Sequence, residues 1–169
     1  MNETDFRTWG GSWTRKFQFG DAVAVEVLLE TKNGAPLFAD DALRECAFER
    51  LLFDRGMRGC CLLPECLRLL YDRTVDLLPV LRSLRIQTAE YAEIYGAPVG
   101  SVWQRGFRFR RIASDEDLVA AAAALLQAPV GRGLAECVEG YESAFSAFHD
   151  EQGRSLPPVV DDRQLEVAG

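Results

Sequence analysis

The chain has 169 residues, is 48% hydrophobic and 27% charged, and carries a formal net charge of −7. This length suits one domain with a real core and no need of disulfide staples. No apolar run approaches the roughly 18 residues that a membrane-spanning helix needs, and the overall acidity argues against strong non-specific binding to nucleic acid, though not against a local basic patch.

The charge is unevenly placed. Residues 136–169 hold eight acids against two arginines, a net −6, so the first 135 residues are nearly neutral. The N-terminal stretch MNETDFRTWGGSWTRKFQFG has no apolar core of the signal-peptide kind, so a cytoplasmic protein is expected. Five cysteines, an odd number, then read as reduced thiols. Cys60, Cys61 and Cys66 lie close in sequence. Neighbours on a strand point to opposite faces, so buried apolar thiols are expected there rather than a zinc site. His149 is the sole histidine and, near a polar C-terminus, is expected to face solvent.

Residues 1–20, with Trp9, Trp13, Phe17 and Phe19, read as an N-terminal arm or extra strand. Residues 22–30, AVAVEVLLE, form a β-branched, apolar strand, and Lys32-Asn33-Gly34 is turn chemistry. Asp40 is a natural N-cap for a helix through about residue 54, with Leu43, Cys46, Ala47, Leu51 and Leu52 on one face. After Gly56, residues 57–63 and 66–71 read as two strands of a hairpin around Pro64-Glu65. A long helix from Thr74 carries a Leu77, Leu81, Leu84, Tyr91 and Tyr95 stripe and closes at Gly96 and Pro98.

Residues 106–112, GFRFRRI, alternate aromatic and basic as a strand does. Ser114 and three acids then cap a helix predicted to end before Pro129. Residues 129–149 end in a short helical segment, and 150–169 read as an acidic tail. The order β-α-β-β-α-β plus a helix predicts an α+β fold of the ferredoxin-like split βαβ kind: an antiparallel sheet with helices on one face. Residues 21–149 form this domain.

Four stretches in order resemble one family. They are NGAPLFADDALREC, GMRGCCLLPECLRLLY, SVWQRGFRFRRI and ALLQAPVGRGLAECVEGY, spanning about Val23 to Tyr141. They look like segments of the single-tyrosine HUH transposases, especially the REP-associated branch. Trp103-Gln104 before Gly106-Phe107, and Pro129-Val130 before Gly133-Leu134, are the most specific matches. The resemblance implies the same fold, although that fold hosts many functions.

The family's chemistry, as the resemblance implies it, is cleavage and rejoining of single-stranded DNA. Two histidines on a strand bind a divalent metal, and a helix tyrosine attacks the phosphate. By position the histidines fall on Cys66 and Arg68, and the tyrosine on Ala124. A guanidinium offers only donors and cannot ligate a cation. The reaction is therefore expected to be absent, with no metal and no cofactor. A thiolate at Cys66, lowered by Arg68, is a further reading, set against a plain buried cysteine.

Binding can outlast catalysis. Arg105, Arg108, Arg110 and Arg111, with Arg68 at the former metal position, are the candidate phosphate contacts. Phe107 and Phe109 either stack bases or belong to the core. Two functions remain. One is a catalytically inactive, domesticated transposase-like protein that binds a nucleic-acid hairpin or single strand in a regulatory role. The other is a protein–protein interaction module on the same scaffold. In the first, the acidic tail could fold over the arginines as an autoinhibitory mimic of nucleic acid.

Overall fold

The structure, a computed structural model, describes residues 6–11, 16–52, 56–96 and 102–150. The tail beyond residue 150, Trp13 and Pro98 lie outside the described residues. The described chain builds strands β1 (Arg7–Trp9), β2 (Ala24–Glu30), β3 (Met57–Leu63), β4 (Cys66–Asp72), β5 (Phe107–Ile112) and β6 (Ala144–Ser146). Helices α1 (Asp41–Leu52), α2 (Leu77–Ile94) and α3 (Asp115–Gly131) separate them. All strand pairs are antiparallel, in the order β1-β5-β2-β4-β3-β6. The inner four strands and first two helices follow the split βαβ plan, so the α+β antiparallel fold is the expected one.

The helices, however, do not all share one face. Val25, Val27 and Leu29 of β2, with Leu67, Leu69 and Tyr71 of β4, pack against α1 and α2. The alternate residues, Ala24, Cys66 and Leu70, pack with Cys61 and Leu63 against Leu118, Ala121, Ala122 and Leu125 of α3. The reason lies in strands apolar on both faces, since a sheet face of that kind must be covered. Gly59 lets α3 approach closely: a Cβ there would sit 3.2 Å from Leu125 and 3.1 Å from the Phe145 carbonyl.

Local signals explain the helix boundaries. Asp40 Oδ1 accepts from Leu43 N at 2.9 Å, the expected cap. Ser114 Oγ accepts from Asp117 N at 3.1 Å at the head of α3. α2 begins at Leu77 rather than Thr74 because Asp72 Oδ1 takes Thr74 N at 2.9 Å and holds the chain in a turn. α3 runs through Pro129 to Gly131, three residues beyond an end expected before Pro129. Near the last turn a proline forfeits only one helical hydrogen bond, and Pro129 is buried there while its carbonyl accepts from Leu134 N at 2.9 Å.

Two other expectations change, and one left open is decided. Residues 138–140 form one 3-10 turn, and the segment after them is the edge strand β6 rather than a helix. His149 is not solvent-exposed: it is 8% exposed, with Nδ1 2.8 Å from Ser146 Oγ at the end of β6. Phe107 and Phe109 belong to the core, at 4% and 6% exposure, under Trp9, Phe17 and Phe19 of the N-terminal arm. Trp103 is likewise packed, its Nε1 donating to Thr88 Oγ1 at 3.1 Å.

Gly106 holds the arm down. Its φ is +78°, and a Cβ would stand 2.1 Å from the Trp9 carbonyl oxygen. Gly106→Ala is therefore expected to lift β1 from β5, read as faster amide exchange over residues 7–9. Gly96→Ala, at a similar φ but in open space, is the control and leaves that exchange unchanged. Burial holds the His149 pKa below its ordinary value, partly opposed by Asp150. The unfolded chain then binds the extra proton first. Stability should be complete above about pH 6.5 and fall as pH drops through the lower folded pKa. Urea melts between pH 8 and 5.5 test this, and His149→Phe should flatten the dependence.

Candidate nucleic-acid interface

The sheet face that carries α3 also carries a cluster of charges. Along β2 this face shows Ala24, Glu26, Leu28 and Glu30; along β4, Cys66, Arg68 and Leu70; along β5, Arg108, Arg110 and Ile112. Register brings them together. Glu26 lies directly across from Arg110, and Leu28 lies between Arg68 and Arg108. Arg68 is thus one diagonal step from Glu26, within reach of a long side chain.

The Glu26 carboxylate is fully buried. Its Oε1 accepts from Arg68 Nε at 3.0 Å and Nη2 at 2.5 Å, and its Oε2 accepts from Arg110 Nη2. The two guanidiniums are mostly buried, at 22% and 13% side-chain exposure. Two cations share one anion, so the cluster keeps a net positive charge. Arg108 stands 3.8 Å from Glu30, and both Arg108 and Arg110 stack on the Phe6 ring, at 5.4 and 5.6 Å.

The remaining candidates are spread around this cluster. Arg105 is exposed in the bend before β5. Arg111 points to the opposite face, where its Nη2 donates to the Gln18 carbonyl at 2.7 Å and its plane lies 5.4 Å from the Phe109 ring. Ala124 sits partly buried on α3, on the same side of the sheet as Cys66 and Arg68. The structure therefore gathers Arg68, Arg108 and Arg110 and leaves Arg105 and Arg111 apart from them.

Cys66 is buried and its thiol is pushed up to about 12, mainly by desolvation, against the pull of Arg132 and Arg68. Cys61, on the same face, is raised to about 12 for the same reason. Both stay protonated in the ordinary pH range, and the thiolate reading of Cys66 is withdrawn because burial outweighs the arginines. A divalent metal, which the resemblance associates with this hairpin, does not fit these residues. One position is a protonated thiol, the other a guanidinium, and both Glu26 oxygens are already engaged.

Three participants were not singled out by sequence reading. Glu26 had a signal, a lone acid inside an otherwise apolar strand bound for the centre of the sheet. Arg132, just after α3, forms an ion pair with Glu65 in the β3–β4 turn and closes the end of the face. Tyr141 donates its hydroxyl to the Leu62 carbonyl at 2.5 Å, and burial pushes its pKa up to about 12. It is held as a phenol and packs against the α3 cluster.

This arrangement is an α+β fold, a six-stranded antiparallel sheet with helices on two faces. No family model matches the sequence, and no curated protein is similar to it. Among solved structures, the fold is similar to that of a REP-associated tyrosine transposase bound to a REP hairpin. The TM-score is 0.59 over 89% of this chain and 94% of that chain, at 16% sequence identity. At that identity the likeness concerns the fold. No helix among the described residues is long and apolar enough to cross a membrane.

Removing Arg68 would strip the buried Glu26 Oε1 of both its donors and leave Arg110 alone to hold the carboxylate. Arg68→Ala is expected to destabilise the fold by about 3 kcal/mol, the lower end of the cost of breaking a buried pair, because the arginine keeps some solvent contact. Arg105→Ala, at an exposed bend, should change stability by less than about 0.5 kcal/mol. Chemical denaturation of both variants measures the contrast.

Proposed function

We propose that this protein binds nucleic acid through the arginine-bearing face and does not cut it. The observation that carries the reading is the Arg68–Glu26–Arg110 triad at the hairpin where the resemblance places a metal-binding pair. A carboxylate bridged by two guanidiniums is a structural device: it needs no cation and supplies no Lewis acid. Cleavage by the family's route further needs a tyrosine at Ala124, where the side chain is a methyl group. The protein is accordingly read as a domesticated relative acting as a regulator, with a folded hairpin as the favoured ligand class. That class is suggested by the REP hairpin held by the structurally similar transposase.

The triad also sorts the arginines. Arg68 and Arg110 are committed to Glu26 and hold the face together. Arg105 and Arg108, more exposed, are the phosphate contacts, and such contacts position a ligand without reading sequence. The near-neutral body makes this binding dependent on low ionic strength.

Fluorescence anisotropy with a labelled hairpin-forming DNA tests the reading. Binding should weaken steadily as salt is raised, and the Arg105→Ala, Arg108→Ala double variant should lose about tenfold in affinity through two lost phosphate contacts. The DNA should stay intact with magnesium present. A covalent protein–DNA adduct, cleaved strands, or binding indifferent to salt and to both substitutions would sink the proposal.

A further inference from the structure

The outer edge of β5 is only half covered. β1 pairs with Phe107–Phe109 and goes no further. Past its end, Arg110, Arg111 and Ile112 border a cavity of about 420 Å³ that Arg7 and Asp117 also line. That volume lies within the range of small-molecule sites, roughly 300–1,000 Å³. Three arginines line it against one acid.

The state of each cation matters. Arg110 gives Nη2 to Glu26, but its Nε–H is buried and meets no acceptor among the described residues. Buried donors of this kind normally have a partner. Arg111 is held by the Gln18 carbonyl and by the Phe17 and Phe109 rings, so nothing in those contacts cancels its charge. Arg7 is exposed on β1 and has no ion-pair partner among the described residues. Asp117, at the head of α3, accepts from Ser114 Oγ at 3.0 Å through Oδ2. Phe109 and Ile112 supply an apolar wall.

We infer that this cavity is a site for a small phosphate monoester that carries hydroxyl or amino donors. Guanidinium forks match phosphate oxygens in pairs and select a dianion over a neutral ligand. Asp117 opposes an anion beside it, so the phosphate belongs at the arginines and a donor group of the ligand at Asp117. The apolar wall covers the body between them. A nucleoside monophosphate has this distribution of groups. The site is distinct from the hairpin-binding surface, since it uses neither Arg105 nor Arg108.

Isothermal titration of the full chain with 5′-AMP, adenosine and inorganic phosphate tests the inference. AMP should bind saturably, and adenosine at least about tenfold more weakly, as expected when a charge-assisted contact is lost. Arg7→Gln and Arg111→Gln should each weaken AMP by about tenfold, while Arg105→Gln leaves it unchanged. Thermal melts confirm that the variants are folded. The inference fails if AMP shows no saturable binding, if inorganic phosphate binds as tightly as AMP, or if both substitutions leave AMP affinity intact. Hairpin binding with no AMP binding would overturn this site and leave the proposed function standing.

Discussion

One carboxylate organises the middle of the molecule. Glu26 sits on the central strand β2 and reaches Arg68 of β4 on one side and Arg110 of β5 on the other. Its cross-links run perpendicular to the strands, alongside the backbone ladder. Taking a carboxylate out of water is expensive, and only good geometry and paired donors make it tolerable. Here three donor nitrogens meet two oxygens, so the acid is well satisfied. A trio of well-packed apolar side chains could match it in stability. What the triad adds is register: a one-residue slip of β5 would turn Arg110 away from Glu26 and put Arg111 or Phe109 in its place.

The two sheet faces are built differently around that centre. One is a broad apolar floor under α1 and α2, extended by the aromatic arm. The other is divided between an apolar half under α3 and a charged half at Glu26, Glu30, Arg68, Arg108 and Arg110. The Arg132–Glu65 ion pair sits where α3 meets the hairpin turn. The guanidinium-bridged carboxylate makes this half of the face both positive and ordered. A rigid platform of this kind can carry many different functions, and what it does is decided by the side chains set on it.

Much of this was legible in the sequence. Alternation put the phenylalanines and Arg108 and Arg110 of FRFRRI on opposite faces without showing that the phenylalanines are core, and Asp40 and Ser114 marked helix starts by a local mechanism that tertiary packing had no cause to override. The second covered face was harder to see. The hairpin LLPECLRLLYD carries apolar residues on both sides of its strands, and a period of two is hard to see where apolar residues occupy both faces. β6 was missed because three residues cannot display a period, and its pairing with β3 is entirely non-local. His149 was misjudged from its polar neighbours in sequence, whereas its burial is decided by the sheet edge it folds back on. At the site, residue types were readable but their pairing was not. Arg68 and Arg110 are 42 residues apart, and only strand order reveals that a single acid lies between them.

The two outermost strands are three residues each, while the strands they cover have seven and six. A sheet edge is a template on which another chain can continue the ladder, and its length sets how many hydrogen bonds an intruder gains. β1 and β6 are too short to offer much. Each is followed or preceded by a turn, and β1 presents an arginine outward in the bargain. They work as bumpers: they leave the inner four strands with no long exposed edge among the described residues. Loss of either one would uncover Phe107–Ile112 or Met57–Leu63, and the chain would then face its copies with an adhesive rim.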